Sequence, residues 1–181
     1  MIFVTIGTQT PFDRLIKIID NIALEINEPI IAQVYNSQYK AQNIQTIDFL
    51  SPKEFNDLFE KARLIISHAG MGTIITALLK CKPIIIYPRL ASLGEHRNDH
   101  QIYTAMKMNE LKYTYVAYDK QQLKELLLHN KSIIPNRRGG LPFSYNIHKA
   151  VYRITIDKFL LVNFYPFFIP KGNYYAFFTF N

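Results

Sequence analysis

Cysteine is almost missing from this chain: Cys81 is the single one in 181 residues, and tryptophan does not occur. One thiol builds neither an intrachain disulfide framework nor a cysteine-based zinc site, and it points to a reducing compartment. No run of 18 or more apolar residues is present, so no segment reads as a membrane-spanning helix. Acidic residues are the scarcer charge, 14 against 21 Lys and Arg, which leaves a formal net charge of +7. That balance favours an anionic partner: a nucleotide, a lipid surface or a nucleic acid. Zinc-finger spacing and RRM-type aromatic signatures are also missing, so nucleic acid is not an expected partner. With 49% hydrophobic and 19% charged residues the composition is that of a folded globular domain. The opening MIFVTIG has no basic leader and reads as a first strand rather than a signal peptide.

What is there is an alternation of short apolar runs and amphipathic segments. Strands are expected at residues 2–6, 29–35, 44–50, 63–67, 83–87 and 113–118. Between the first two, Leu15, Ile18, Ile19, Ile22 and Ile26 recur at the three- and four-residue spacing of one helix face. Ser51, Pro52 and Glu54 form a capping-box signature that opens a helix. Asp119 and Gln122 repeat it before the helix through Leu128, and further helices are expected over 72–80 and 100–108. Strand–helix alternation on this scale predicts an α/β fold, a Rossmann-like doubly wound parallel sheet. Continuous apolar strands such as PIIIY fit burial on both faces. Residues 1–161 read as one domain, and 162–181 as an aromatic-rich tail in which Asn163, Pro166, Pro170 and Gly172 break any long helix.

The stretch ISHAGMGT, residues 66–73, ends the fourth strand and starts a helix. Ligands of open parallel sheets collect at the carboxyl ends of strands. Gly70 and Gly72 permit backbone approaches that a side chain would block, and the following helix offers unpaired N–H groups at its positive end. The combination suits a diphosphate, with Thr73 as a hydroxyl donor and His68 either donating to phosphate or orienting the loop. It is neither a Walker A motif nor a GxGxxG. The loop after the next strand, YPRLASLGEHRNDHQ, lies on the same sheet edge and offers Glu95, His96, Asn98, Asp99, His100 and Gln101 as hydroxyl readers. Arg14, beside Asp13, is open to a phosphate or a partner but reads first as a helix-surface ion pair, and Arg89, just past a strand end, reads as a phosphate or partner contact. A phosphate cradle beside a hydroxyl reader is what a nucleotide-sugar donor needs.

The order HAGMGT, KPIIIYPR, DHQ, together with the opening MIFVTIGTQTPFDRLI, resembles the C-terminal domain of glycosyltransferase family 28 over residues 1–130. Among its single-domain members are bacterial exopolysaccharide PssE-type subunits and the catalytic subunit of the eukaryotic dolichol-linked UDP-GlcNAc transferase. The resemblance implies one half of a glycosyltransferase-B fold. It implies a donor site in which His68, Ala69, Gly70, Met71, Gly72 and Thr73 hold the diphosphate, His100 and Gln101 read the sugar, and Gly7 and Thr8 face the cleft. It further implies inverting transfer of a hexose from a UDP-sugar to a lipid-linked saccharide acceptor in exopolysaccharide or capsule synthesis. A membrane-anchored, Rossmann-like second subunit would supply the acceptor half, so the chain would work in the cytoplasm, peripheral to the inner face of the plasma membrane.

No DxD-type motif occurs, and no metal or other cofactor is expected. The general base is expected from the partner half, with Glu95, His96 and Asp99 as candidates within this chain. Two positions depart from the family pattern. Thr76 stands where many members carry a ribose-gripping glutamate, and Thr104 where many carry asparagine. The first departure keeps open a second reading, a non-catalytic nucleotide-sugar-binding or scaffolding half.

Overall fold

A computed structural model describes residues 1–129. The expected domain boundary at 161 and the tail at 162–181 lie outside the described residues. The strands are β1 (Ile2–Thr5), β2 (Ile30–Gln33), β3 (Gln45–Ile47), β4 (Leu64–Ser67), β5 (Ile84–Ile86) and β6 (Tyr115–Val116). The helices are α1 (Asp13–Ala23), α2 (Pro52–Lys61), α3 (Met71–Leu79), α4 (His100–Glu110) and α5 (Lys120–His129). All six expected strands are present, each shorter than the apolar run that announced it. The run after β2 stops early because Tyr35 and Asn36 turn with φ of 28° and 53°.

The strands form one all-parallel sheet in the order β3-β2-β1-β4-β5-β6. Chain direction along the sheet therefore reverses between β1 and β4. A crevice opens at the carboxyl ends of the two strands that flank such a switch point, because their connections leave on opposite faces. Thr5 pairs with Ser67 in register. Ile6–Gly7 and His68 thus leave the sheet side by side.

Alternate residues of each strand enter different cores. Ile2, Val4, Leu64, Ile66 and Ile85 pack with Leu15, Ile16, Ile19 and Ile22 of α1 and with Leu123 and Leu127 of α5. Phe3, Ile65, Ile84 and Ile86 pack on the other face against Phe59 of α2, Ile74 and Ala77 of α3, and Met108 of α4. Phe3 meets Phe55 and Phe59 edge-on, with centroids 5.4 and 6.4 Å away. Burial on both faces is why these strands carry no polar alternation.

The helix starts follow local chemistry. The Ser51 hydroxyl accepts from the Glu54 amide, and the Glu54 carboxylate accepts from the Ser51 amide, the full capping box. At α5 the box is a variant. Asp119 accepts from the Gln122 amide at 2.8 Å, but the Gln122 side chain reaches one residue further back, to the Tyr118 amide at 2.9 Å. Asp20 on α1 is buried, and its charge is met by Tyr39 Oη at 2.7 Å and the amides of Gln42 and Asn43. These hydrogen bonds outweigh burial and hold its pKa below the usual carboxylate range.

Candidate functional site

The crevice between β1 and β4 is floored by the ring of His68. A Cβ added at Gly70 would lie 2.2 Å from its Nε2, and one at Gly7 would lie 3.1 Å from its Cε1. Gly7 also has φ of +77°, a conformation that side chains disfavour. The imidazole thus sits between two glycines that the sequence separates by more than sixty positions. Gly72 plays a different part. A Cβ there would meet nothing within 4 Å, so no neighbouring side chain demands a glycine at this position.

Burial lowers the His68 pKa to about 4, assisted by the positive charge of Arg89. A hydrogen bond to the Thr5 backbone acts in the opposite direction. Near neutral pH the ring is therefore uncharged, and its one N–H belongs to that bond. Ser67 Oγ lies 3.3 Å from Nδ1.

Helix α3 begins beside this ring. Gly70 is its N-cap and supplies no side-chain cap, while its carbonyl accepts from the Ile74 amide. The amides of Met71, Gly72 and Thr73 form the first turn, the part of a helix whose donors have no intrahelical partner. An uncapped positive helix end beside a neutral histidine is a site for an anion. Thr76 turns away from such a ligand, its hydroxyl donating to the Gly72 carbonyl at 2.8 Å.

The second wall is the loop between β5 and α4. Two expectations fail here. Arg89 is 2% exposed, and its guanidinium donates to the carbonyls of Ile6, Thr10 and Pro11 at 2.7–3.0 Å. It is a tie for the β1–α1 loop rather than a phosphate contact, and burial lowers its pKa to about 10. Nor does Arg14 pair with Asp13 on a helix surface. It makes a bidentate pair with Glu95 at 2.7 Å on both arms, and donates to Tyr87 Oη and the Pro88 carbonyl. Phe12 lies between the two cations, 5.3 Å from the Arg14 guanidinium and 4.4 Å from that of Arg89.

The other expected site residues fall as follows. Gln101 is buried, and its Oε1 accepts from both the Ala69 amide (3.2 Å) and the Arg89 amide (3.1 Å). One side-chain oxygen thus joins the HAG turn to the loop after β5. Because backbone N–H groups demand an acceptor, the oxygen must face them, and only the NH2 group remains for a ligand. His100 opens α4, its amide donating to Asn98 Oδ1. Asp99 accepts from the Ala91 amide, and His96 Nδ1 lies 3.0 Å from the Asn98 carbonyl. A positive charge on His96 would act on His68 in the same direction as that of Arg89. Thr8 is exposed at the tip of the β1–α1 loop, and Thr104 donates to the His100 carbonyl. Gly7, His68, Gly70 and, through Ala69, Gln101 are therefore brought into one constellation. Arg14 and Arg89, expected in other roles, organise the second wall together with Tyr87, which no local pattern announces.

The model of the glycosyltransferase family 28 C-terminal domain matches residues 1–137. The chain belongs to this family. Within family 28 and its relatives, it is 29% identical over 92 residues to a protein of Candida albicans described as UDP-N-acetylglucosamine transferase subunit ALG13. That match takes in 51% of this chain and 30% of the Candida protein, so the chain spans under a third of its curated relative's length. The solution structure of ALG13 superposes with a TM-score of 0.54 at 19% identity, over 80% of this chain and 92% of that one. Os79 from O. sativa, determined with UDP, gives 0.53 at 12% identity over 84% of this chain and 40% of its own. Together these likenesses place the six-stranded sheet among glycosyltransferase-B halves.

Proposed function

We propose that this family 28 chain is the donor-binding catalytic half of a two-component inverting glycosyltransferase. It moves a hexose from a UDP-sugar to a lipid-linked saccharide acceptor in exopolysaccharide or capsule synthesis. The observation that carries this reading is the uncapped N-terminus of α3, opening beside His68 and Gly7 at the sheet's switch point. Support for UDP and for a partner comes from relatives: Os79 was determined with UDP, and ALG13 is a transferase subunit.

In the proposed reaction an acceptor hydroxyl attacks the anomeric carbon of the donor as the bond to the UDP oxygen breaks. The electron pair leaves on UDP, and the acceptor proton goes to a base. The first-turn amides of α3, 71–73, meet the developing diphosphate charge without a metal. The Gln101 NH2 group donates to a sugar hydroxyl, with His100 beside it. Glu95 already accepts from Arg14 and from the Leu90 amide, and Asp99 from the Ala91 amide, so both carboxylates have oxygens engaged within the chain. His96 is the freest of the three candidates. The principal base and the acceptor half of the fold belong to a membrane-anchored, Rossmann-like partner, which holds this chain at the cytoplasmic face of the membrane. Among the described residues no helix is long and apolar enough to cross a membrane.

The test is calorimetric titration of the chain with UDP, followed by a UDP-sugar donor screen with and without the co-purified partner. Binding by the chain alone, with turnover only in the complex, is expected. Thr76, which offers a ribose no carboxylate, favours the second reading, a scaffolding half. That reading expects no UDP binding.

A further inference from the structure

The β1–α1 and β5–α4 loops enclose a second cleft, of ≈ 370 Å³, lined by Gln9, Thr10, Glu95, His96 and Arg97. Its volume is within the range of about 300–1,000 Å³ that small-molecule sites occupy. Its electrostatics are one-sided. Glu95 is the carboxylate in the lining, and Arg14 and the Leu90 amide already neutralise it. Arg89 stands within electrostatic reach of Glu95 and has backbone carbonyls, not a carboxylate, as its hydrogen-bond acceptors. Two guanidinium groups behind one carboxylate leave a positive floor. Asp99, the loop's other acid, faces the Ala91 amide.

At the mouth, Arg97 is exposed and has no ion pair among the described residues, whereas Arg14 is paired with Glu95 and Arg63 with Glu28. His96 Nδ1 lies within hydrogen-bond distance of both the carbonyl (3.0 Å) and the amide (3.4 Å) of Asn98. Its Nε2 is left for a ligand. Thr10 gives its carbonyl to Arg89 and keeps its hydroxyl, and Gln9 adds an amide. A planar guanidinium fork, a hydroxyl and an amide around one cleft are donors that bind phosphate oxygens.

Resting on the donor reading above, we infer that this cleft binds the phosphate or diphosphate through which the acceptor's sugar is joined to its lipid. The cradle at α3 is reserved for the donor. The second cleft adjoins it, since Gln9 and Thr10 in its lining follow Gly7 and Thr8 in the same loop. Two anionic substrates are thereby bound side by side, with the acceptor's phosphate on this chain rather than wholly on its partner.

The experiment saturates the full chain with UDP and titrates inorganic pyrophosphate, then geranyl diphosphate, following the His96 ring and backbone amides by NMR. Both ligands are expected to bind with UDP still in place, shifting His96 and the amides of Gln9 and Thr10. Arg97→Gln is expected to weaken both about tenfold while UDP affinity stays within about twofold. Complete displacement by UDP overturns the proposal, because the probe then occupied the donor cradle. Displacement by UDP-glucose but not UDP also overturns it, because the cleft then holds the donor's sugar. So does unchanged binding by Arg97→Gln. If UDP itself fails to bind, the donor reading falls separately. Pyrophosphate binding that still depends on Arg97 then supports the anion site, and binding that does not depend on it overturns the site.

Discussion

The imidazole of His68 occupies the volume that any side chain at position 70 would need, with Nε2 2.2 Å from where a Cβ would stand. The glycine after the histidine is therefore a demand of the ring, as much as of the turn. Gly70→Ala must push the ring from its place between the two loops. A destabilisation of about 1–3 kcal/mol is expected from overpacking, together with loss of UDP binding. Because the clash is with one ring, His68→Ala should relieve it. The double variant is expected to be more stable than the sum of the singles predicts, which a double-mutant cycle in urea measures. Additive losses would show that Gly70 is needed for its backbone alone.

The same ring makes stability depend on pH. In the fold the His68 pKa is lowered to about 4, against an ordinary value of 6.5. The unfolded chain thus takes up a proton below 6.5 that the folded chain refuses. The stabilisation is complete above pH 6.5 and is lost as pH falls from 6.5 towards 4. At 1.36 kcal/mol per unit the whole effect is roughly 3 kcal/mol. His68→Phe keeps a ring and removes the titration. Urea midpoints of the variant are expected to fall less than those of the parent chain between pH 6.5 and 4.5. Parallel curves would mean that the ring protonates freely.

The legibility of this site in the sequence follows from distance along the chain. HAGMGT was readable because its parts are adjacent: a strand end, a glycine turn and a helix start within eight residues. The helix before it was readable because a capping box is a four-residue device, and Ser51 and Glu54 do form it. Strand existence was readable from apolar runs, but strand ends were not. Pairing, not apolarity, decides where a strand stops, and Gln33 is the last residue of β2 to pair with β1. The pair Arg14 and Glu95 is 81 residues apart. Nothing local separates it from a surface ion pair between Arg14 and its neighbour Asp13. Arg89 misled for a related reason. An arginine past a strand end fits phosphate equally well as it fits carbonyls, and only the returning β1–α1 loop decides between them.

Glu95 holds the second wall through Arg14, and removing its charge should be felt at a distance. Side-chain exposure is 23% for Arg14 and 13% for Glu95, so the pair is partly shielded from water. Glu95→Gln leaves the Arg14 guanidinium with a neutral partner and is expected to cost about 2 kcal/mol, between the surface and buried limits. Arg14→Met with Glu95→Gln together should cost less than the two singles summed. Chemical denaturation of the four proteins measures the coupling. A coupling near zero would reduce the pair to surface decoration.

Gln101 separates positioning from recognition within one side chain. Its oxygen accepts from the Ala69 and Arg89 amides, and its NH2 group is what remains for a ligand. Gln101→Glu preserves the acceptor, so both loops stay joined and the cradle keeps its shape. What it loses is the donor, and it places a negative charge where the sugar hydroxyls are proposed to lie. UDP affinity is therefore expected to stay within about threefold, while the extra affinity of a UDP-hexose over UDP disappears, a loss of about 1–2 kcal/mol for one hydrogen bond. Gln101→Ala removes both functions and should lower stability and UDP affinity together, because two buried amides lose their acceptor. Parallel titrations with UDP and UDP-hexose distinguish the variants. Equal loss of both ligands in Gln101→Glu would assign the residue to loop positioning alone.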